Sequence, residues 1–134
     1  MLRNIDMQKA VEAIDKAQNV VVTTHMRPDG DACGSMMAIV RALQAMGKTV
    51  EPVLLSPLAD WYSFLFDKKA AVLGNDISIE QMIDKYQDKC DLIIIVDTNS
   101  EVQLPGFADQ AFCRLAVAAA DDQAPVALPG IRRR

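Results

Sequence analysis

His25, Asp29 and Asp31 fall within one short stretch, His25-Met26-Arg27-Pro28-Asp29-Gly30-Asp31, of a 134-residue chain. Imidazole and carboxylates are the ligand set of hard and borderline divalent cations such as Mn²⁺, Mg²⁺ and Zn²⁺. Pro28 fixes one φ angle and Gly30 permits an unusual one. Asp29-Gly30-Asp31 is therefore expected to turn tightly and bring two carboxylates to neighbouring points. Two cations roughly 3.5–4 Å apart would then form the clamp that serves phosphoester hydrolysis. Gly34 and Ser35, at the start of a following helix, would offer backbone N–H groups and a hydroxyl to a phosphate. The same residues also make an ordinary surface turn after a hydrogen-bonding histidine, and taken alone the stretch reads that way.

A second acidic strand end shifts that balance. Leu92-Ile93-Ile94-Ile95-Val96 is a continuous apolar run ending in Asp97. Such a run reads as a strand buried on both faces, as in parallel sheets. If it lies beside the strand that feeds His25, four potential ligands share one sheet edge: His25, Asp29, Asp31 and Asp97. On its own, Asp97 would equally serve as a helix N-cap or turn former, with Thr98 to Ser100 continuing the turn.

The elements that would position these residues alternate between helix and strand. Asp6 caps a helix to about Gln18, with Met7, Val11 and Ile14 on one face. Val20–Thr24 is the strand before the site loop, and a helix from about Cys33 to Met46 follows. Its stripe of Met36, Met37, Ile39, Val40, Leu43 and Met46 is core, and Gly47 ends it. Thr49–Leu55 is a strand whose Pro52 argues for an edge position or a bulge. Ser78 and Gln81 form a capping-box pattern ahead of a helix to about Asp88. This order predicts an α/β fold, an open and mostly parallel sheet with helices on both faces.

Trp61, Tyr62, Phe64 and Phe66 gather most of the chain's few aromatics into one short piece. They would make a base-stacking wall near the site or a satellite core patch under a loop. Burial is the expectation, because aromatics mainly serve packing. Lys68-Lys69 reads as a solvated face rather than a phosphate contact.

Hydrophobic residues make up 51% of the chain, enough for a real core, and the formal net charge is −4. That balance argues against a broad duplex-DNA footprint but not against a short oligonucleotide or nucleotide held by metals. Cys33, Cys90 and Cys113 are widely spaced and odd in number, so neither a zinc site nor a disulfide framework is supported. Free thiols fit a reducing cytosol, and a cytoplasmic location is the expectation. No run approaches the ~18 consecutive apolar residues of a membrane span. Arg3, Asp6, Lys9 and Glu12 interrupt any signal-peptide pattern.

The string His25-Met26-Arg27-Pro28-Asp29-Gly30-Asp31-Ala32-Cys33-Gly34-Ser35 resembles the first motif of the DHH phosphoesterase superfamily. Ile95-Val96-Asp97-Thr98 is similar to its second. By pattern the nearest branch is that of oligoribonucleases and 3′-phosphoadenosine-5′-phosphate phosphatases, the nanoRNases. The resemblance runs from about Asp6 to Leu104. It implies that His25 and Asp29 hold one Mn²⁺, Asp31 another, and Asp97 both. Asp29, Asp31 and Asp97 would be the catalytic carboxylates, with Gly34, Ser35 and Arg27 at the substrate phosphate. The metals would activate a water for in-line attack on phosphorus and stabilise the leaving oxygen. The implied partner is a short oligonucleotide or nucleotide phosphate, with no duplex DNA, no membrane and a possible homodimer.

The chain also departs from the family. Its third motif is Asp-His-His, and the only histidine here is His25. The fourth motif and the C-terminal substrate-binding domain are missing as well. After Leu104 comes a turn at Pro105-Gly106, then an apolar stretch from Phe112 to Ala120 without a clear period. Asp121-Asp122 follows with no imidazole, and the chain closes on Arg132-Arg133-Arg134. Residues 1–104 are thus expected to be the front of a DHH phosphoesterase domain, and 105–134 an aberrant or truncated ending. Without its next strand the sheet would carry an unpaired edge that invites self-association. The expected function is a metal-dependent phosphoesterase, truncated and inactive alone. The alternative is a non-catalytic nucleotide- or metal-binding α/β domain. A dinucleotide-binding domain is disfavoured, because Gly30 and Gly34 do not make a G-x-G-x-x-G loop.

Overall fold

The computed structural model describes residues 4–86, 89–97, 116–119 and 127–128. The elements run α1 (Asn4–Lys16), β1 (Asn19–Thr23), α2 (Gly30–Ala45), β2 (Thr49–Leu54), a 3₁₀ helix (Asp60–Leu65), β3 (Ala71–Val72), α3 (Ile79–Tyr86), β4 (Leu92–Val96), β5 (Ala116–Ala119) and β6 (Ala127–Leu128). The sheet order is β3-β2-β1-β4-β5-β6, so the two strands that feed the site are direct neighbours. All pairings are parallel except β5 with β6. The expected open, mostly parallel α/β sheet is what forms.

Both faces of the sheet are covered. Alternate residues of a strand point to opposite faces, and β1 shows this directly. Val20 and Val22 pack with Cys33, Met36, Val40 and Leu43 of α2 and with Ala17 after α1. Val21 packs with Met82 and Tyr86 of α3 on the other side. Every residue of β4 is buried, as its uninterrupted apolar run requires. At the start of these strands the Asp91 carboxylate accepts the N–H groups of Gln18 and Asn19, at 2.9 and 2.8 Å. That contact helps set the register Val20↔Leu92 through Thr23↔Ile95.

Several expectations are corrected. A further strand does follow Leu104: Ala116–Ala119 pairs in parallel with β4, so β4 has no open edge. Apart from β6, the rest of 105–134, including Asp121-Asp122, Cys113 and the terminal arginines, lies outside the described residues, as do Thr98 to Ser100. Pro52 does not mark an edge strand, since β2 lies between β1 and β3. The Leu54 carbonyl accepts from Leu73 on the β3 side, so Pro52, two residues earlier, faces the same side. β3 pairs only from Val53 onward, and the missing N–H of Pro52 therefore interrupts no ladder. α1 already contains Asp6 rather than being capped by it. Met7 and Val11 are about half exposed, at 50% and 54%. The seam is instead Ala13, Ile14 and Ala17, spaced three and four residues apart.

The capping box holds as expected. Ser78 N–H donates to Gln81 Oε1 at 2.9 Å, and Gln81 N–H to Ser78 Oγ at 3.1 Å. Gly47 ends α2 with φ +80. The Lys48 and Gly47 N–H groups reach back to the Leu43 and Gln44 carbonyls, at 3.1 and 2.9 Å. Among the described residues, no helix is long and apolar enough to cross a membrane.

Candidate metal centre

The site is assembled where β1 and β4 end side by side. Thr24, fully buried just past β1, donates its hydroxyl to the Val96 carbonyl at 2.9 Å. Thr23 does the same to Val53 of β2 at 2.7 Å. Three parallel strand tips are thereby stitched together by side chains where the backbone ladder runs out. His25 follows Thr24 and Asp97 follows Val96, so the Thr24 bond sets the distance between imidazole and carboxylate.

His25 Nε2 lies 3.3 Å from Asp97 Oδ2, and its Nδ1 lies 2.7 Å from the Met26 carbonyl oxygen. A carbonyl only accepts, so Nδ1 carries the hydrogen. In the neutral ring Nε2 is then a bare lone pair aimed at a carboxylate. Two lone-pair groups hold that approach only with a positive centre shared between them: a proton, on Nε2 or on the Asp97 carboxyl, or a metal ion. Two ligands of one ion, each about 2.1 Å from it at 90–109°, are about 3.0–3.4 Å apart. The observed spacing fits. A ring nitrogen that donates to a backbone carbonyl is also the usual way a ligating histidine is oriented.

Asp29 completes the group: His25, Asp29 and Asp97 each offer a ligand atom within 4.8 Å of the others. Asp29 is also the N-cap of α2, its Oδ1 accepting the Ala32 N–H at 2.9 Å. A carboxylate has two oxygens, and the cap occupies one. Asp31 stands outside the three, exposed in the first turn of α2. Its charge still acts on the site. Burial first, then Asp31 and more weakly Asp29, push the Asp97 carboxyl above the ordinary carboxylate range, against the pull of His25.

Two non-glycine residues of the site have left-handed backbone, Arg27 with φ 51 and Asp97 with φ 56. Such conformations are uncommon away from glycine and gather at functional loops. Arg27 is held by its N–H, which donates to Ser56 Oγ at 2.7 Å, while its side chain is exposed. Ser56 lies just beyond β2, so the third strand tip fixes the loop as well.

α2 begins at Gly30, not near Cys33. Gly34 and Ser35 therefore lie in its second turn, where backbone N–H groups belong to the helix ladder. The expectation that they present amides to a phosphate is corrected. Gly30 and Asp31 carry the first-turn donors not already taken by Asp29. What remains at the original positions is the Ser35 hydroxyl and open space over Gly34, where an added Cβ would meet nothing within 4 Å. Cys33 is a fully buried core residue, its thiol pushed up by burial and then by Asp29. Thr23, Thr24 and Ser56 escaped the sequence reading. The available signal was a polar residue closing each apolar strand run.

The sequence profile described as the DHH family, N-terminal domain, matches residues 19–120. No curated protein matches the chain by sequence. Among solved structures, the crystal structure of an exopolyphosphatase-related protein from Bacteroides fragilis is similar, with a TM-score of 0.70 and 19% identity. The match covers 88% of this chain and 39% of that one, so the chain spans about two fifths of its neighbour's length. At that identity the likeness speaks for the fold. The family match takes in both strand tips and every residue of the His25–Asp29–Asp97 group, and on it the chain belongs to the DHH family, of which it carries the N-terminal domain.

Proposed function

We propose that His25, Asp29 and Asp97 hold a divalent cation, Mn²⁺ by the family resemblance, and that Asp31 serves a second ion beside it. The observation that carries this is the meeting of His25 Nε2 with Asp97 Oδ2 at the spacing of two ligands of one ion, with Asp29 offering an oxygen within 4.8 Å of both. A bound divalent ion there would activate water and neutralise phosphoryl oxygens. The chain's own part is to fix the ligands. Met26 sets the imidazole tautomer, Thr24 sets the strand-tip spacing, and Asp29 turns one oxygen to the helix and keeps one for the site.

The substrate class we assign is a short oligonucleotide or a nucleotide phosphate such as adenosine 3′,5′-bisphosphate, as in the nanoRNase branch. Arg27 and the first turn of α2 would face its phosphate. The chain by itself is proposed to bind metal without turning over substrate. Its single histidine is already committed to the first cation, and a two-metal clamp needs ligands for both. The test is hydrolysis of a dinucleotide and of adenosine 3′,5′-bisphosphate in Mn²⁺. Metal binding without turnover supports this reading. Turnover that Asp97→Ala abolishes supports the metal site and contradicts the inactivity.

A further inference from the structure

The aromatic stretch does not behave as a buried patch. Tyr62 and Leu65 pack against the core and Phe66 is buried within it. Trp61 and Phe64 are instead 73% and 77% exposed. Three residues apart on a 3₁₀ helix, they share one face. Tyr62 links that face to the metal group. A Cβ placed on Gly30, the residue between Asp29 and Asp31, would meet the Tyr62 ring at 3.3 Å. The Trp61 ring in turn stands edge-on to Tyr62, with centroids 6.0 Å apart.

We propose that Trp61 and Phe64 form a stacking platform for the base of a nucleotide whose phosphate sits at the His25–Asp29–Asp97 group. This rests on the metal reading above and specifies the substrate within it. Charge selects the occupant. Asp29 and Asp31 flank Gly30, where Tyr62 meets the turn, an unfavourable setting for a bare polyanion such as inorganic polyphosphate. A flat, uncharged base loses nothing to those carboxylates and gains stacking on an exposed indole. Two large aromatics held in water, on a helix whose Tyr62 reaches the turn between Asp29 and Asp31, are explained by that use.

Trp61 is the chain's only tryptophan, so its emission reads the platform directly. The experiment titrates the full chain in Mg²⁺ with adenosine 5′-monophosphate, ribose 5-phosphate and inorganic phosphate, by fluorescence and calorimetry. The expected result is quenching by the nucleotide alone, and affinity about tenfold or more above that of ribose 5-phosphate. Trp61→Leu, at an exposed position, should erase that difference and leave ribose 5-phosphate affinity unchanged. Equal, Mg²⁺-dependent binding of the nucleotide and ribose 5-phosphate overturns the platform while leaving the metal group intact. No Mg²⁺-dependent binding of any of the three means that the metal reading has failed, and the platform falls with it.

Discussion

His25 Nε2 and Asp97 Oδ2 stand 3.3 Å apart at the tips of adjacent parallel strands, although 72 residues separate them in sequence. The Met26 carbonyl fixes which ring nitrogen carries hydrogen, and the other is left facing a carboxylate. From that contact the site's pH behaviour follows. Burial and the neighbouring Asp31 favour the protonated form of Asp97 in the fold. Without metal, the stability this contributes is present below the ordinary aspartate range and is lost as pH rises through the raised value. Metal binding needs the carboxylate, so affinity runs the other way and falls as pH drops through that value. Melting curves across the carboxylate range should show the Mn²⁺-induced gain in Tm growing with pH. A gain independent of pH would contradict the assignment of Asp97.

Asp29 has two separable duties. Asp29→Asn keeps an oxygen for the Ala32 N–H and loses the anionic ligand, whereas Asp29→Ala loses both. Both variants should lose most of the Mn²⁺ affinity. Only Asp29→Ala should also lose about 0.5–2 kcal/mol of stability, the range for removing an N-cap. Denaturant melts beside metal titrations separate the two, and equal stability of the variants would speak against the cap.

Thr24→Val tests the spacing between the strand tips. It preserves shape but removes the hydroxyl that donates to Val96. Leaving a buried carbonyl without its partner should cost about 1–3 kcal/mol. Mn²⁺ affinity should fall by roughly 10–100-fold, as when an outer partner of a ligand is lost. Unchanged affinity in a destabilised variant would show that the hydroxyl serves the fold alone.

Much of this arrangement is legible in the residues, and what is not has identifiable causes. Leu92 to Val96 announces a doubly buried strand, and its acidic end beside His25 follows once β1 and β4 are neighbours. Ala116 to Ala119 also pairs into the sheet, but it is too short and too rich in alanine to stand out from its surroundings. The start of α2 is obscured because Gly30 and Asp31 are polar, so the apolar period begins only at Ala32. Asp29 consequently reads as a turn residue and ligand, not as a cap. Thr24 and Ser56 act through single hydrogen bonds across strands, which no local pattern encodes. Trp61 and Phe64 are misread because composition alone assigns aromatics to the interior.

Gly47 offers a check on the fold apart from the site. Its φ of +80 is reached at no cost by glycine, and a Cβ there would touch nothing within 4 Å. Gly47→Ala should therefore cost about 1–2 kcal/mol through backbone conformation alone, with Mn²⁺ affinity unchanged. A neutral substitution would contradict the left-handed ending of α2.

The most direct measurement is a calorimetric Mn²⁺ titration of the wild-type chain beside His25→Gln and Asp97→Asn. Saturable binding is expected in the wild type. Either variant should lose more than the roughly 10–100-fold that removing an outer partner costs. Binding of equal strength in all three would mean that no cation is held between the two strand tips.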